Sequence, residues 1–104
     1  MRGDIYRFRP HDTRGHKQSG VRYAVVVQSD DLMLSTLIVA PTSTRARPTV
    51  FRPQIELGGE RTFVLVEQTT VVNPDLELGD FVGRLSVEEL GELERALLLV
   101  FGLF

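Results

Sequence analysis

The chain has 104 residues and a mass of 11.7 kDa, and 42% of its residues are hydrophobic, which favours one globular domain over residues 1–104. It contains no cysteine, which excludes a thiol nucleophile, a cysteine-ligated metal centre and a disulfide framework. No apolar run approaches the roughly 20 residues that cross a bilayer, and no secretory signal pattern is present. We therefore expect a cytoplasmic protein with no membrane segment.

Charge is divided unevenly between the two halves of the chain, although the formal net charge is only −2. Residues 1–52 carry nine basic and four acidic side chains, whereas residues 53–104 carry three basic and ten acidic ones. Eleven of the twelve basic residues are arginine, whose planar guanidinium binds phosphate through two parallel hydrogen bonds. The basic half indicates a polyanionic partner; the alternative is that the two halves neutralise each other within the fold.

Alternating and β-branched patterns predict strands over most of the chain. Residues 5–9 alternate apolar and basic side chains, and residues 22–28 form a continuous apolar run typical of a strand buried on both faces. Between them, residues 10–20 contain turn formers and almost no apolar anchor, which predicts a mobile functional loop. A further strand is predicted at 36–40, and Pro41 should end its hydrogen-bonding ladder. Strands at 50–57 and 62–68 are predicted to form a hairpin around Gly58–Gly59–Glu60. Residues 69–72 should extend or bend the second of these strands, and a last strand is predicted at 81–85.

The hydrophobic period becomes helical after residue 85. Ser86 and Glu89 have the spacing of a capping box, and apolar residues then recur at helical spacing, which predicts a helix over 87–101. Residues 97–101 are apolar around more than one face, which indicates either a surface for a second copy of the chain or a helix end buried in its own core. We expect a mainly β fold, a small antiparallel barrel of five to seven strands with a C-terminal α-helix.

Several kinds of active site lack their motifs in this sequence. The chain has no glycine-rich loop of the kinds that cradle nucleotide phosphates. Its two histidines, His11 and His16, lie in one predicted loop without paired carboxylates at metal-ligand spacing. We therefore expect neither a metal nor a cofactor.

Two predicted loops, 10–22 and 42–48, concentrate cationic and hydroxyl side chains beside buried strands. Because each loop leaves or enters a neighbouring β segment, the two can meet on one rim of the barrel. Such a rim suits a phosphodiester, and Tyr6 and Phe8 on the first strand are available to stack on bases. The residues gathered there are Arg14, Lys17, Arg22, Ser43, Thr44, Arg45 and Arg47.

Five short blocks follow one another along the chain. They are RGDIY at 2–6, RGHKQSGVRYAVVV at 14–27, IVAPTSTR at 38–45, VEQ at 66–68 and VGRLS at 82–86. Together they resemble the successive blocks of the MazF/PemK family of toxin endoribonucleases. The resemblance implies an SH3-like, CcdB-like barrel that works as a homodimer, cleaves single-stranded RNA without a metal, and is silenced by a cognate MazE-type antitoxin with an acidic C-terminal segment.

The resemblance also implies site residues. Arg22 matches the family's active-site arginine, Ser43 matches its active-site threonine, and residues 10–21 match the mobile segment that closes over RNA. Thr44 and His16 are further catalytic candidates. The residues implied in RNA binding are Arg14, Lys17, Gln18, Arg45, Arg47 and Gln68.

The sequence departs from the family pattern at four positions, each of which is one of these site residues or lies close to one. Tyr23 replaces the proline that normally follows the arginine, and Ser43 replaces threonine. Lys17 stands where many members have glutamate, and Thr70 stands where an arginine is frequent. The neighbouring His16 titrates near neutral pH and is therefore a candidate for the missing acid or base.

The chemistry that we expect is attack of the RNA 2′-hydroxyl on the adjacent phosphorus, which leaves a 2′,3′-cyclic phosphate and a 5′-hydroxyl. Arg22 and Ser43 would stabilise the charge that develops on the phosphate oxygens. Structural alternatives are an ion pair between Arg22 and a carboxylate such as Glu67, and capping of the turn after Pro41 by Ser43 or Thr44. Rival functions are a non-catalytic RNA-binding barrel and a toxin that targets a protein, like the gyrase inhibitors of this architecture.

Overall fold

The computed structural model describes residues 1–9 and 22–103. In this part of the chain, seven strands precede a long helix. The strands are β1 (Asp4–Phe8), β2 (Tyr23–Val26), β3 (Leu37–Ser43), β4 (Gln54–Leu57), β5 (Glu60–Val64), β6 (Thr70–Val72) and β7 (Leu78–Arg84), and the helices are α1 (Pro74–Glu77), α2 (Val87–Phe101) and a 3₁₀ turn at Val66–Gln68.

The strands form one antiparallel sheet in the order β4-β5-β3-β2-β1-β7, and β6 pairs with β3 outside this path. β3 is the central strand because it pairs with β2 along one edge and with β5 and β6 along the other. The predicted mainly β fold, with five to seven antiparallel strands and a C-terminal helix, is confirmed.

Each face of the sheet carries its own hydrophobic cluster. On one face, Val25, Ala40 and Val64 pack with Leu93 and Ala96 of α2. The other face has a smaller cluster, which consists of Ala24, Val26, Val39 and Val72 with the half-buried Tyr6, Phe8, Leu37 and Leu78 around it. The prediction that the second strand is covered on both faces is therefore correct.

Helix α2 has the predicted bounds, and its ends are closed by the expected devices. The Ser86 hydroxyl accepts from the Glu89 amide at 3.1 Å, and the Glu89 carboxylate accepts from the Ser86 amide at 2.9 Å. Gly102 ends the helix with a φ of 66°, a left-handed conformation that glycine adopts at little cost. Among the described residues, no helix has the length and apolar character needed to cross a membrane.

The prediction that Pro41 ends the ladder is wrong, because β3 continues through it to Ser43. Pro41 lies opposite Ala24, but its carbonyl points to the other edge of β3 and accepts from the Leu65 amide at 2.8 Å. The missing proline N–H therefore faces the break between β5 and β6, where the ladder requires no donor.

Other boundaries also differ from the predictions. The predicted strand 50–57 begins only at Gln54, and the predicted extension 69–72 is a separate strand that follows the 3₁₀ turn. The last strand begins at Leu78 instead of Phe81, because pairing with β1 outweighs the weak strand propensity of Gly79 and Asp80. The sequence analysis also missed α1, which begins where the Asn73 side chain accepts from the Asp75 amide at 3.0 Å.

Candidate functional site

Arg22 directly precedes β2 and Ser43 is the last residue of β3, so both lie at the same end of this antiparallel pair. The register runs Val26–Val39, Val25–Ala40 and Ala24–Pro41, and one step further the Thr42 hydroxyl donates to the Tyr23 carbonyl at 3.1 Å. Continuation of this register beyond the Ala24–Pro41 pair would bring Arg22 opposite Ser43. Because opposed residues of an antiparallel pair have Cα atoms about 4.5–5.5 Å apart, the two side chains start from neighbouring points.

The two residues also share a face of the sheet. Side chains alternate along a strand, so Arg22 projects on the same side as Ala24, and Ser43 projects on the same side as Val39. Both of these neighbours belong to the smaller hydrophobic cluster, which Tyr6 and Phe8 flank. The face opposite to α2 therefore carries a guanidinium, an alcohol and aromatic rings.

The backbone of Arg22 is held by a hydrogen bond from the neighbouring strand β1. The Phe8 amide of β1 donates to the Arg22 carbonyl at 2.9 Å. Tyr6 lies further along β1, with its ring edge-on to Phe81 at a centroid distance of 5.6 Å. Arg22 is itself half-buried. The bond from Phe8 therefore holds the backbone from which the Arg22 side chain leaves.

The Ser43 hydroxyl takes part in a local turn. Its oxygen accepts from the Arg45 amide at 3.1 Å, which is the capping role that the sequence offered as an alternative. A serine hydroxyl also has one hydrogen to donate, so this contact leaves it able to reach a phosphate oxygen. Thr44 follows the end of β3 and is exposed, as are Arg45 and Arg47.

Gln68 is brought towards the same region by the 3₁₀ turn. The turn follows Leu65, whose amide is bonded to Pro41, two residues before Ser43 on β3. Gln68 is exposed at the end of this turn. The preceding Glu67, which the sequence offered as a partner for Arg22, accepts from Arg52.

Four of the predicted site residues, Arg14, His16, Lys17 and Gln18, lie outside the described residues, as does the whole of the predicted loop 10–20. Within residues 1–9 and 22–103, no group of three or more histidine, aspartate or glutamate side chains is placed to hold a metal ion.

Two arginines that sequence reasoning had not assigned to the site lie near it. Phe63 of β5 is opposite Ser43, and Arg61, two residues earlier on the same face, places its guanidinium carbon 5.5 Å from the centre of the Phe63 ring. Arg61 was missed because the strand was predicted to begin at residue 62. Arg52 was missed because its partner, Glu67, is 15 residues away, and no local pattern signals such a pair.

Solved structures share this fold. A mycobacterial endoribonuclease solved in complex with its cognate antitoxin superposes with a TM-score of 0.80 at 18% identity, covering 100% of this chain and 96% of that one. The Mycobacterium tuberculosis toxin MazF-mt6 superposes with a TM-score of 0.77 at 18% identity, covering 97% and 98%. MazF from Deinococcus radiodurans also gives 0.77 at 18% identity, covering 98% and 96%.

Sequence comparison identifies the family. A protein of Mycobacterium tuberculosis (strain ATCC 25618 / H37Rv), named as a candidate toxin, Rv3098A, is 39% identical over 104 residues, which cover 99% of this chain and 98% of that protein. Residues 1–101 match the family described as the PemK-like, MazF-like toxin of type II toxin–antitoxin systems. The chain therefore belongs to the PemK-like, MazF-like toxin family.

Proposed function

We propose that this toxin is an endoribonuclease that cuts single-stranded RNA at short sequences, without a metal ion, in the cytoplasm. The observation that carries the proposal is the position of Arg22 and Ser43 at the same end of the β2–β3 pair, next to the Thr42–Tyr23 hydrogen bond. Family membership supports it, and so do the structural neighbours of the same fold that are endoribonucleases.

The proposed reaction uses the nucleophile that RNA carries. The 2′-oxygen loses its proton to a base and forms a bond to the adjacent phosphorus, while the bond from phosphorus to the 5′-oxygen breaks and the leaving oxygen takes up a proton. The products are a 2′,3′-cyclic phosphate and a 5′-hydroxyl. DNA lacks the 2′-hydroxyl, so it should not be cut.

Arg22 and Ser43 would act on the charge that develops during this step. Negative charge builds on the non-bridging oxygens, and hydrogen-bond donors held in place before the reaction stabilise it more than they stabilise the ground state. A guanidinium stays protonated at any physiological pH and therefore cannot serve as the base. We assign Arg22 and Ser43 electrostatic roles and His16 the acid–base role, with Thr44 as the second candidate hydroxyl.

The RNA would continue from this site over the cationic loops. Arg45 and Arg47 are exposed on the segment that follows β3, and Gln68 is exposed on the neighbouring turn. Tyr6 and Phe8 offer rings on the same face for unstacked bases. Arg14, Lys17 and Gln18 complete the proposed set of RNA contacts.

An antitoxin and a second copy of the chain are the proposed protein partners. An acidic, disordered segment of a MazE-type antitoxin would compete with RNA for the cationic loops. The second copy would cover the end of α2, where Leu98, Leu99 and Phe101 are 43%, 41% and 58% exposed.

The test is digestion of a long unstructured RNA in EDTA, followed by analysis of the fragment ends. We expect discrete cuts with 2′,3′-cyclic phosphate and 5′-hydroxyl ends, and no cuts in the matching DNA. RNA that is bound but intact would instead support a non-catalytic RNA-binding barrel. Growth arrest of cells whose RNA stays intact would support a toxin that targets a protein.

A further inference from the structure

We infer that Arg52 is a positioning residue, which holds the cationic segment 44–53 against the 3₁₀ turn and thereby sets how tightly the site binds RNA. This inference rests on the proposed function and names a residue that neither the family resemblance nor the sequence analysis assigned to the site. It concerns the shape of the binding surface and not the chemical step.

Every nitrogen of the Arg52 guanidinium is used by a neighbouring group. Nε and Nη2 donate to one carboxylate oxygen of Glu67, at 2.9 Å and 2.6 Å, and Nη1 donates to the backbone carbonyl of Arg47 at 3.1 Å. The guanidinium carbon also lies 5.5 Å from the centre of the Phe51 ring. A lysine ammonium is a single point of charge and cannot reproduce this planar set of contacts.

The ion pair is partly shielded from water. The side chains of Arg52 and Glu67 are 21% and 26% exposed. Exposed pairs contribute little because water and salt screen them, whereas charge-assisted hydrogen bonds in a partly desolvated site are stronger. This pair is therefore able to hold two segments together.

The pair joins the two segments that flank Ser43. Segment 44–53 leaves β3 directly after Ser43 and carries Arg45 and Arg47, while the 3₁₀ turn carries Gln68 beside Glu67. Arg52 itself sits in a short turn, with its amide bonded to the Thr49 carbonyl at 3.2 Å. Without the guanidinium, nothing else among the described contacts bonds the Arg47 backbone to the 3₁₀ turn that carries Glu67.

The competing explanation is that Arg52 contacts the RNA backbone directly. The positioning role and the direct contact predict opposite effects of Glu67→Gln. If Arg52 acts through Glu67, Glu67→Gln loosens the segment and weakens RNA binding, as Arg52→Ala does. If Arg52 binds phosphate, Glu67→Gln removes a repelling carboxylate and releases the guanidinium, so RNA binding strengthens.

The experiment measures kcat and KM on a short RNA with one cleavage sequence, for wild type, Arg52→Ala, Arg52→Lys and Glu67→Gln. Arg95→Ala, which removes an exposed arginine from α2, is the charge-matched control. We expect Arg52→Ala and Glu67→Gln to raise KM about tenfold and to leave kcat within about twofold of wild type. The KM of Arg52→Lys should stay close to that of Arg52→Ala. A tenfold change corresponds to about 1.4 kcal/mol. Circular dichroism and thermal melting establish that each variant is folded at the assay temperature.

Trypsin provides a readout that does not depend on ribonuclease activity. The Arg45–Ala46 bond is the accessible tryptic site in this segment, because Pro48 and Pro53 protect the bonds after Arg47 and Arg52. Mass spectrometry should show faster cutting after Arg45 in Arg52→Ala and Glu67→Gln than in wild type or Arg95→Ala.

The outcomes distinguish failure of the inference about Arg52 from failure of the proposed function. Unchanged KM and unchanged tryptic cutting in the two folded variants would overturn the inference, and so would a lower KM for Glu67→Gln. A wild-type protein that cuts no RNA, while the variants still expose Arg45 to trypsin, would reject the proposed function and leave the structural tether confirmed.

Discussion

The hydroxyl of Thr42 donates a hydrogen bond to the carbonyl oxygen of Tyr23 at 3.1 Å. This bond extends the contact between β2 and β3 by one residue beyond the Ala24–Pro41 pair, to the positions next to Arg22 and Ser43. A side-chain hydroxyl therefore helps to hold the backbone beside the two proposed catalytic residues.

Removal of that hydroxyl should be measurable. We expect Thr42→Val to lower the free energy of unfolding by about 0.5–1.5 kcal/mol, because the half-buried Tyr23 carbonyl loses the hydrogen bond that the hydroxyl donates. Chemical denaturation measures the change, and Thr42→Ser, which keeps the hydroxyl, is the matched control. Equal stability of Thr42→Val and wild type would show that the bond does not hold this edge.

The salt dependence of RNA binding tests the proposed phosphate contacts. Each phosphate contact on a single strand contributes about 0.7 to the slope of log K against log salt. We expect Arg45→Ala and Arg47→Ala each to reduce the slope by about that amount on an uncleavable RNA with a 2′-deoxy substitution at the cut site. Arg95→Ala should leave the slope unchanged; a slope equal to wild type in both loop variants would remove these arginines from the interface.

The pH profile tests the assignment of His16. A histidine has an ordinary pKa of about 6.5, so a base at this position is neutral and active above that pH and is lost by protonation below it. We expect kcat to fall on the acid side in wild type, and we expect this limb to disappear in His16→Ala together with a lower maximum rate. His11→Ala is the control in the same loop. A profile of His16→Ala that parallels wild type would assign the base elsewhere.

The exposed end of α2 tests the proposed homodimer. Phe101 is 58% exposed on an otherwise apolar helix end, and burial in a second copy would remove its ring from water. We expect Phe101→Glu to convert a dimer into a monomer in light scattering. Val87→Glu, a change at the other end of the same helix where the side chain is 85% exposed, should remain dimeric. The same mass for wild type and Phe101→Glu would contradict this surface.

Sequence patterns predicted those parts of the structure that local chemistry decides. The capping box at Ser86 and the helical period fixed α2, and the β-branched run after Arg22 predicted the buried strand β2. Long-range pairing decided the rest. Pro41 remains inside β3 because its missing donor faces a gap left by other strands, and a sequence pattern carries no information on that gap.

The residues of the candidate site were likewise predicted from the sequence only in part. The family resemblance named Arg22 and Ser43, and the antiparallel pairing of β2 and β3 puts both at the same end of the two strands. Arg52 and Arg61 were not predicted, because their positions depend on Glu67 and Phe63, which no spacing rule connects to the loops. Residues that support a site through tertiary contacts are the least visible in a sequence.

The most direct test of the account is the single-turnover cleavage rate of a defined RNA in EDTA, with saturating protein, for wild type, Arg22→Ala and Ser43→Ala. Loss of one preorganised donor typically lowers a rate by about 10²–10³, so we predict reductions of this size for each variant, with RNA affinity within a few-fold of wild type. Cleavage by both variants at the wild-type rate, with the same ends, would contradict the placement of the scissile phosphate between these two side chains.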